Sequence, residues 1–144
     1  RFYCQAGWSE EALDVYRNQF RPSPVLAQPH VMIGVPLIAA PDDAEAEFLA
    51  SSTYQRVLGI LSGDRKRLQP PTEHYMEQRS PQERAAIADF LGAAVVGGPV
   101  TVREGLQALL QATQADEFML VCDIFDPALR LRSLEIAHAA WLQA

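Results

Sequence analysis

Two runs of the chain are apolar at almost every position, whereas the segments around them are apolar at every third or fourth. The first run, VMIGVPLIAA, lies within residues 30–40, and the second, FMLVCDIF, occupies 118–125. In the second, Phe118, Leu120, Cys122 and Ile124 alternate with Met119, Val121, Asp123 and Phe125, and both sets are mostly apolar. A strand of that kind needs cover on both faces, as in parallel sheets flanked by helices. A glycine-flanked helix start, an amphipathic helix and a polar turn precede it, and a further helix follows. Residues 95–127 therefore read as one αβα unit around which the rest of the chain is expected to be arranged.

The other elements follow from spacing and punctuation. A short strand is expected over 2–6. Ser9 is placed to cap a helix whose stripe is Leu13, Tyr16 and Phe20, with Glu10 and Glu11 at its positive end and Pro22 and Pro24 stopping it. Within the run at 30–40, Pro36 cannot donate to a ladder, so the strand is expected to break, bulge or end near Val35. Asp42 caps a helix over 44–61 with a buried stripe of Ala46, Leu49, Ala50, Val57, Leu58 and Leu61, closed by Ser62 and Gly63. Residues 64–79, polar and carrying Pro70 and Pro71, read as a long surface excursion. Ser80, Pro81, Gln82 and Glu83 form a capping box opening a helix to about residue 91. After a short apolar run at 93–96, a helix from Pro99 presents Val102, Leu106, Leu109, Leu110 and Thr113 on one face. Asp126 and Pro127 start the last helix. The fold class is α/β, and strands alternating with helices fit either a doubly wound sheet or part of a (β/α)8 barrel.

Composition narrows the function. The chain has 144 residues, 49% of them hydrophobic, which suits one domain or a piece of one. A formal charge of -6 argues against a nucleic-acid surface, and the basic run Arg65, Lys66, Arg67 reads as a solvated loop. Cys4 and Cys122 are too far apart in sequence to suggest a disulfide framework, which points to a reducing cytoplasm. No apolar run reaches the roughly 18 residues of a membrane span. The chain opens RFYCQAGW, without an initiator Met and as if inside a strand. It is thus expected to be a piece of a larger polypeptide or to take its missing strand partners from another molecule.

Chemically suggestive residues are few. Gly97 and Gly98 before a helix offer free N–H groups to a phosphate, but the segment matches neither GxGxxG nor the P-loop, and a plain helix start is favoured. His30, His74 and His138 lack ligand spacing, so no metal site is expected. Cys122 has no histidine close in sequence and suits a small buried hydrophobe.

Three stretches, ALDVYRNQFRPSPVL from Ala12, PHVMIGVPLIAAPDDAEAE from Pro29 and VVGGPVTVREGLQALLQATQADEFML from Val95, resemble in order and spacing the C-terminal part of the bacterial-luciferase-like flavin monooxygenases. The closing IFDPALRLRSLEI is also similar. Gly98 departs from the family, which usually has Ser or Thr there, and so does Pro36, where a polar residue is common. The resemblance implies strands six to eight of a (β/α)8 TIM-type barrel, with an inserted excursion at about 63–94 over the barrel mouth. It implies reduced FMN or a related deazaflavin as cofactor, and oxygen used to oxidise a small organic substrate. The upstream strands that supply much of the family's flavin-phosphate site are not in this sequence, so the isolated chain is expected to be inactive. In such a barrel the chemistry lies at the C-terminal strand ends. There Trp8 and Asp123 become candidate cofactor-binding residues, and Cys122 and Phe125 candidate substrate-pocket residues, with no catalytic residue assigned. The plainer readings are ordinary packing for Trp8 and a structural hydrogen bond for Asp123. Two alternatives stand beside this: a non-catalytic α/β module that homodimerises through open sheet edges, and a small ligand-binding domain.

Overall fold

The second strand, rather than the fourth, is the hub of the sheet. The computed structural model describes residues 2–4, by their backbone, and 9–143. In it β2 (Val31–Ala39) pairs in parallel with β1 (Phe2–Cys4), β3 (Val95–Gly97) and β4 (Glu117–Val121). β1 and β4 both pair with Met32 and Ile33, so they take opposite edges of β2. The helices are α1 (Glu10–Gln19), α2 (Asp43–Leu61), α3 (Pro81–Phe90), α4 (Pro99–Thr113) and α5 (Pro127–Leu142), with a 3-10 turn at Met76–Gln78. Among the described residues no helix is long and apolar enough to cross a membrane.

Pro36 does not end β2, contrary to the expectation from its missing N–H. The odd-numbered residues of β2 face β4 and α5: Val31 accepts from Asp116 N–H, and Ala39 N–H donates to Ser133 Oγ of α5 at 2.7 Å. Even-numbered positions face the other way, as Ala40 N–H shows by donating to the Gly97 carbonyl. Pro36 is even-numbered and falls between the last pair with β1, at Ile33, and the first with β3, at Leu37. The β4 ladder therefore passes through Pro36 without needing its N–H.

β4 is shorter than its apolar run. It ends at Val121, and the backbone then takes side-chain partners: Thr53 Oγ1 donates to the Asp123 carbonyl at 3.3 Å, and Arg130 Nε to that of Ile124. Ser133 Oγ receives the Ala39 N–H where a longer β4 would have continued the ladder. β3, only three residues long, stands where the sequence showed just a short apolar run.

The two faces of the sheet are covered differently. Val31, Ile33, Val35, Leu37 and Ala39 pack with Leu13 of α1, Val102 and Leu106 of α4, and Ala137 and Ala140 of α5. Ile38 and Ala40, at the end of β2, pack instead with α2, with Ile87 of α3 and with Ile124. Thus α1, α4 and α5 lie on one face, and α2 and α3 gather at the C-terminal end of the strands. On that second face Met119 of β4, in register with Gly34, is 43% exposed.

The predicted caps are in place. Ser9 accepts from Ala12 N–H at 3.0 Å, Asp42 from Glu45 at 2.8 Å and Asp126 from Ala128 at 2.8 Å. Ser80 and Glu83 close the capping box reciprocally.

Candidate functional site

A cavity of about 520 Å³ opens at the C-terminal end of the sheet. Pro36 and Ile38 of β2, Val121 of β4, and Phe90 and Leu91 at the end of α3 give it apolar walls. Thr53 and Arg56 of α2 and Asp123 beyond β4 supply its polar groups. Even spacing along β2 puts Pro36 and Ile38 on the face that α1, α4 and α5 leave open. Asp123 reaches the cavity because β4 ends two residues earlier and the chain bends towards α2.

Asp123 Oδ2 pairs with the Arg56 guanidinium, the two side chains being 33% and 39% exposed. Thr53, one helical turn before Arg56, holds the Asp123 backbone by its carbonyl. A carboxylate so tethered is oriented on the cavity rim, and the guanidinium beside it offers donors to any acceptor that enters. Arg56 Nε is buried with no hydrogen-bond partner among the described residues.

Of the four residues singled out by sequence, the structure brings only Asp123 to the cavity. Trp8 lies outside the described residues. Cys122 is half-buried against the strand-end cluster, its Sγ 4.0 Å from the Arg130 carbonyl, and Phe125 is 42% exposed. Neither lines the cavity: the apolar run puts the strand end at 122–125, whereas β4 ends at Val121 and the chain bends away after it. Thr53 and Arg56 were missed: the helical stripe left residues 51–56 on the solvent side, yet Ser51, Ser52, Thr53 and Tyr54 are all buried. The available signal was the run SSTYQR, with three small hydroxyl residues in the middle of a long helix.

The paired glycines hold a carboxylate from within the chain. Gly98 N–H donates to Asp43 Oδ1 at 2.7 Å, which lowers the Asp43 pKa, as does the Thr101 hydroxyl. Asp43 thereby takes the N–H of the N-cap residue itself, the part an N3 Glu plays in a capping box, while α4 has no side-chain cap of the kind a Ser or Thr at position 98 would give. The Gly98 N–H is therefore engaged by a carboxylate of the chain itself. Among the described residues no three His, Cys, Asp or Glu side chains converge as a metal site.

The parallel β/α order, with a partly polar cavity at the C-terminal strand ends, defines an α/β unit of the type that binds ligands at that edge. No protein-family model matches the chain. It is 42% identical to the uncharacterized protein YvbT of Bacillus subtilis (strain 168), over 90% of this chain and 39% of that protein. It is 38% identical to a luciferase-like monooxygenase of Escherichia coli (strain K12), over 88% of this chain and 38% of that one. The crystal structure of apo-MsnO8 superposes with a TM-score of 0.70 at 28% identity, covering 93% of this chain and 41% of that chain. The chain thus spans about two fifths of the length of the curated relatives it matches.

Proposed function

We propose that the chain is the C-terminal part of a luciferase-like, flavin-dependent monooxygenase, with β1, β2 and β4 as strands six, seven and eight of its (β/α)8 barrel. The observation that carries this reading is the uneven cover of the sheet. Three helices clothe one face, while the other opens on a strand-end cavity and leaves Met119 exposed, as the inner face of a barrel segment would. In this reading α4 is the barrel helix between strands seven and eight. The inserted region over the mouth is then α2, residues 62–80 and α3, a larger unit than the excursion at 63–94, because α2 packs at the strand ends. The similarity to a protein named luciferase-like monooxygenase supports the same assignment.

The residues present fit part of a flavin site. The apolar walls at Pro36, Ile38 and Val121 suit a planar ring or an organic substrate, and Arg56 and Asp123 suit its polar edge. They provide no phosphate cradle at Gly97 and Gly98, where Asp43 already accepts the free N–H. When bound, reduced FMN would supply two electrons to oxygen, one atom of which enters the substrate while the other leaves as water, whereas an oxidised deazaflavin would itself take a hydride from the substrate. The chain's own residues orient the ligand through the Arg56 and Asp123 pair and exclude water with the apolar walls. The intact protein acts in the cytoplasm on a small organic substrate.

The test is oxygen uptake by the intact protein with an FMN reductase, comparing wild type with Asp123→Asn and Arg56→Gln. Flavin-dependent uptake that falls about tenfold in both variants, with melting temperatures preserved, is the expected result. An intact polypeptide of only 144 residues that forms a concentration-independent dimer and ignores flavin would instead establish the self-standing module.

A further inference from the structure

Arg56 also lines a second, larger cleft of about 850 Å³, bounded by α2, the excursion and α3. Arg56, Lys66, Arg67 and Arg79 border it with two carboxylates, Asp64 and Glu83; Arg56 is also paired with Asp123, so Arg67 and Arg79 are the cations with least competition among the described residues, in a chain whose formal charge is -6. The carboxylates are already engaged. Asp64 pairs with Lys66 at 2.7 Å, and Glu83 Oε2 accepts from Ser80 N–H at 2.8 Å in the capping box. The remaining Glu83 oxygen stands 3.7 Å from Arg79, beyond a good hydrogen bond. Arg79 lies over the Tyr75 ring, 4.7 Å from its centroid, which steadies the guanidinium without using its N–H donors in the ring plane. The Nε atoms of Arg56 and Arg79 are both buried and lack a hydrogen-bond partner among the described residues. Both side chains line the cleft and are partly exposed, 39% for Arg56 and 28% for Arg79, so guanidinium donors remain within reach of a ligand there, and a charged acceptor suits them best.

We infer that this cleft binds the acidic group of an organic anion, whose apolar remainder reaches the strand-end cavity past the shared Arg56. Calling that anion the substrate rests on the monooxygenase reading above; the binding site does not. A carboxylate, sulfonate or phosphate meets the same chemistry, two or more guanidinium donors and a nearby ammonium.

Calorimetry on the intact protein tests it with hexanoate, hexanesulfonate, hexyl phosphate and the neutral hexanol. At least one anion is expected to bind about tenfold or more tightly than hexanol, and Arg79→Gln to remove about tenfold of that preference. Glu83→Gln, which keeps a capping side chain but removes a competing charge, is expected to tighten anion binding about twofold to fivefold, a gain that misfolding does not produce. Equal binding of hexanol and the anions, or no response of the anions to either variant, would overturn the inference. So would an Arg79→Gln variant that weakens FMN but not riboflavin while leaving the alkyl anions unchanged, because the cleft would then serve the cofactor's phosphate. Oxygen uptake is a separate readout: turnover of neutral and anionic substrates alike removes the inference and keeps the enzyme, whereas anion binding lost in Arg79→Gln without any flavin-dependent turnover keeps the site and removes the enzyme.

Discussion

Position 97 has no room for a side chain. A Cβ there would lie 2.5 Å from both Cβ and Cγ2 of Thr101 and 2.8 Å from Asp43 Oδ1. Thr101 Cβ cannot swing away, so the backbone must move. Gly97→Ala is therefore expected to cost about 1–3 kcal/mol, read as a lower urea midpoint with an unchanged slope. Asp43, beside it, carries a pH dependence. Its pKa is lowered chiefly by the Gly98 N–H and then by Thr101, and that of Glu83 is lowered chiefly by the Ser80 N–H. A carboxyl group whose folded value lies below its unfolded one adds stability that is present above the unfolded value and lost as pH falls through the folded one. Urea unfolding should thus show an acid limb below about pH 4 that becomes shallower in Asp43→Asn, with no change in slope near neutrality. The caps at Ser9, Asp42, Ser80 and Asp126 were readable in advance because a cap needs only residues within three or four positions. Asp43 as the acceptor for residue 98 was not, because the bond spans 55 positions.

At the scale of elements, the helices were found where their stripes and caps put them, and errors arose where one element leans on another. The burial of α2 on several sides came from its packing at the strand ends against α3 and Ile124, which its own periodicity does not record. Pro36 was misjudged because the cost of a missing N–H depends on which neighbour that N–H would face, a matter of sheet order. The C-terminus of α4 shows the same dependence. Arg17 of α1 donates to the carbonyls of Thr113 at 2.5 Å and Gln114 at 3.0 Å, capping a helix 96 residues away. Arg17→Ala is expected to destabilise the fold by about 1 kcal/mol, discounted for partial exposure, with the loss visible as faster amide exchange in the last turn of α4.

For the whole molecule, the decisive feature is a sheet that the described residues cover along one face and, on the other, only at the strand ends. If the chain completes a barrel with further strands, the exposed side is an interior. Met119→Lys, which places an ammonium on that side, is then expected to cost the intact protein about 3 kcal/mol or more, or to abolish its soluble expression. A change within about 0.5 kcal/mol would mean that the face meets water and that no barrel closes over it. The alternating apolar sets of the fourth strand announced cover on both faces, yet only one is covered by the described residues, which supports a chain that supplies part of a larger core.

What the amino-acid order determined by itself was local: helix starts and stops, the apolar runs, the α/β alternation and the parallel crossovers, all set by interactions among near neighbours in the chain. Only the tertiary structure decided that β2 is the centre, that α2 and α3 turn to the strand ends, and that Asp123 meets Arg56 there. Those outcomes depend on contacts between residues far apart in the chain, 67 positions for Arg56 and Asp123 and more for the pairing of β2 with β4, and no spacing rule within a segment carries them.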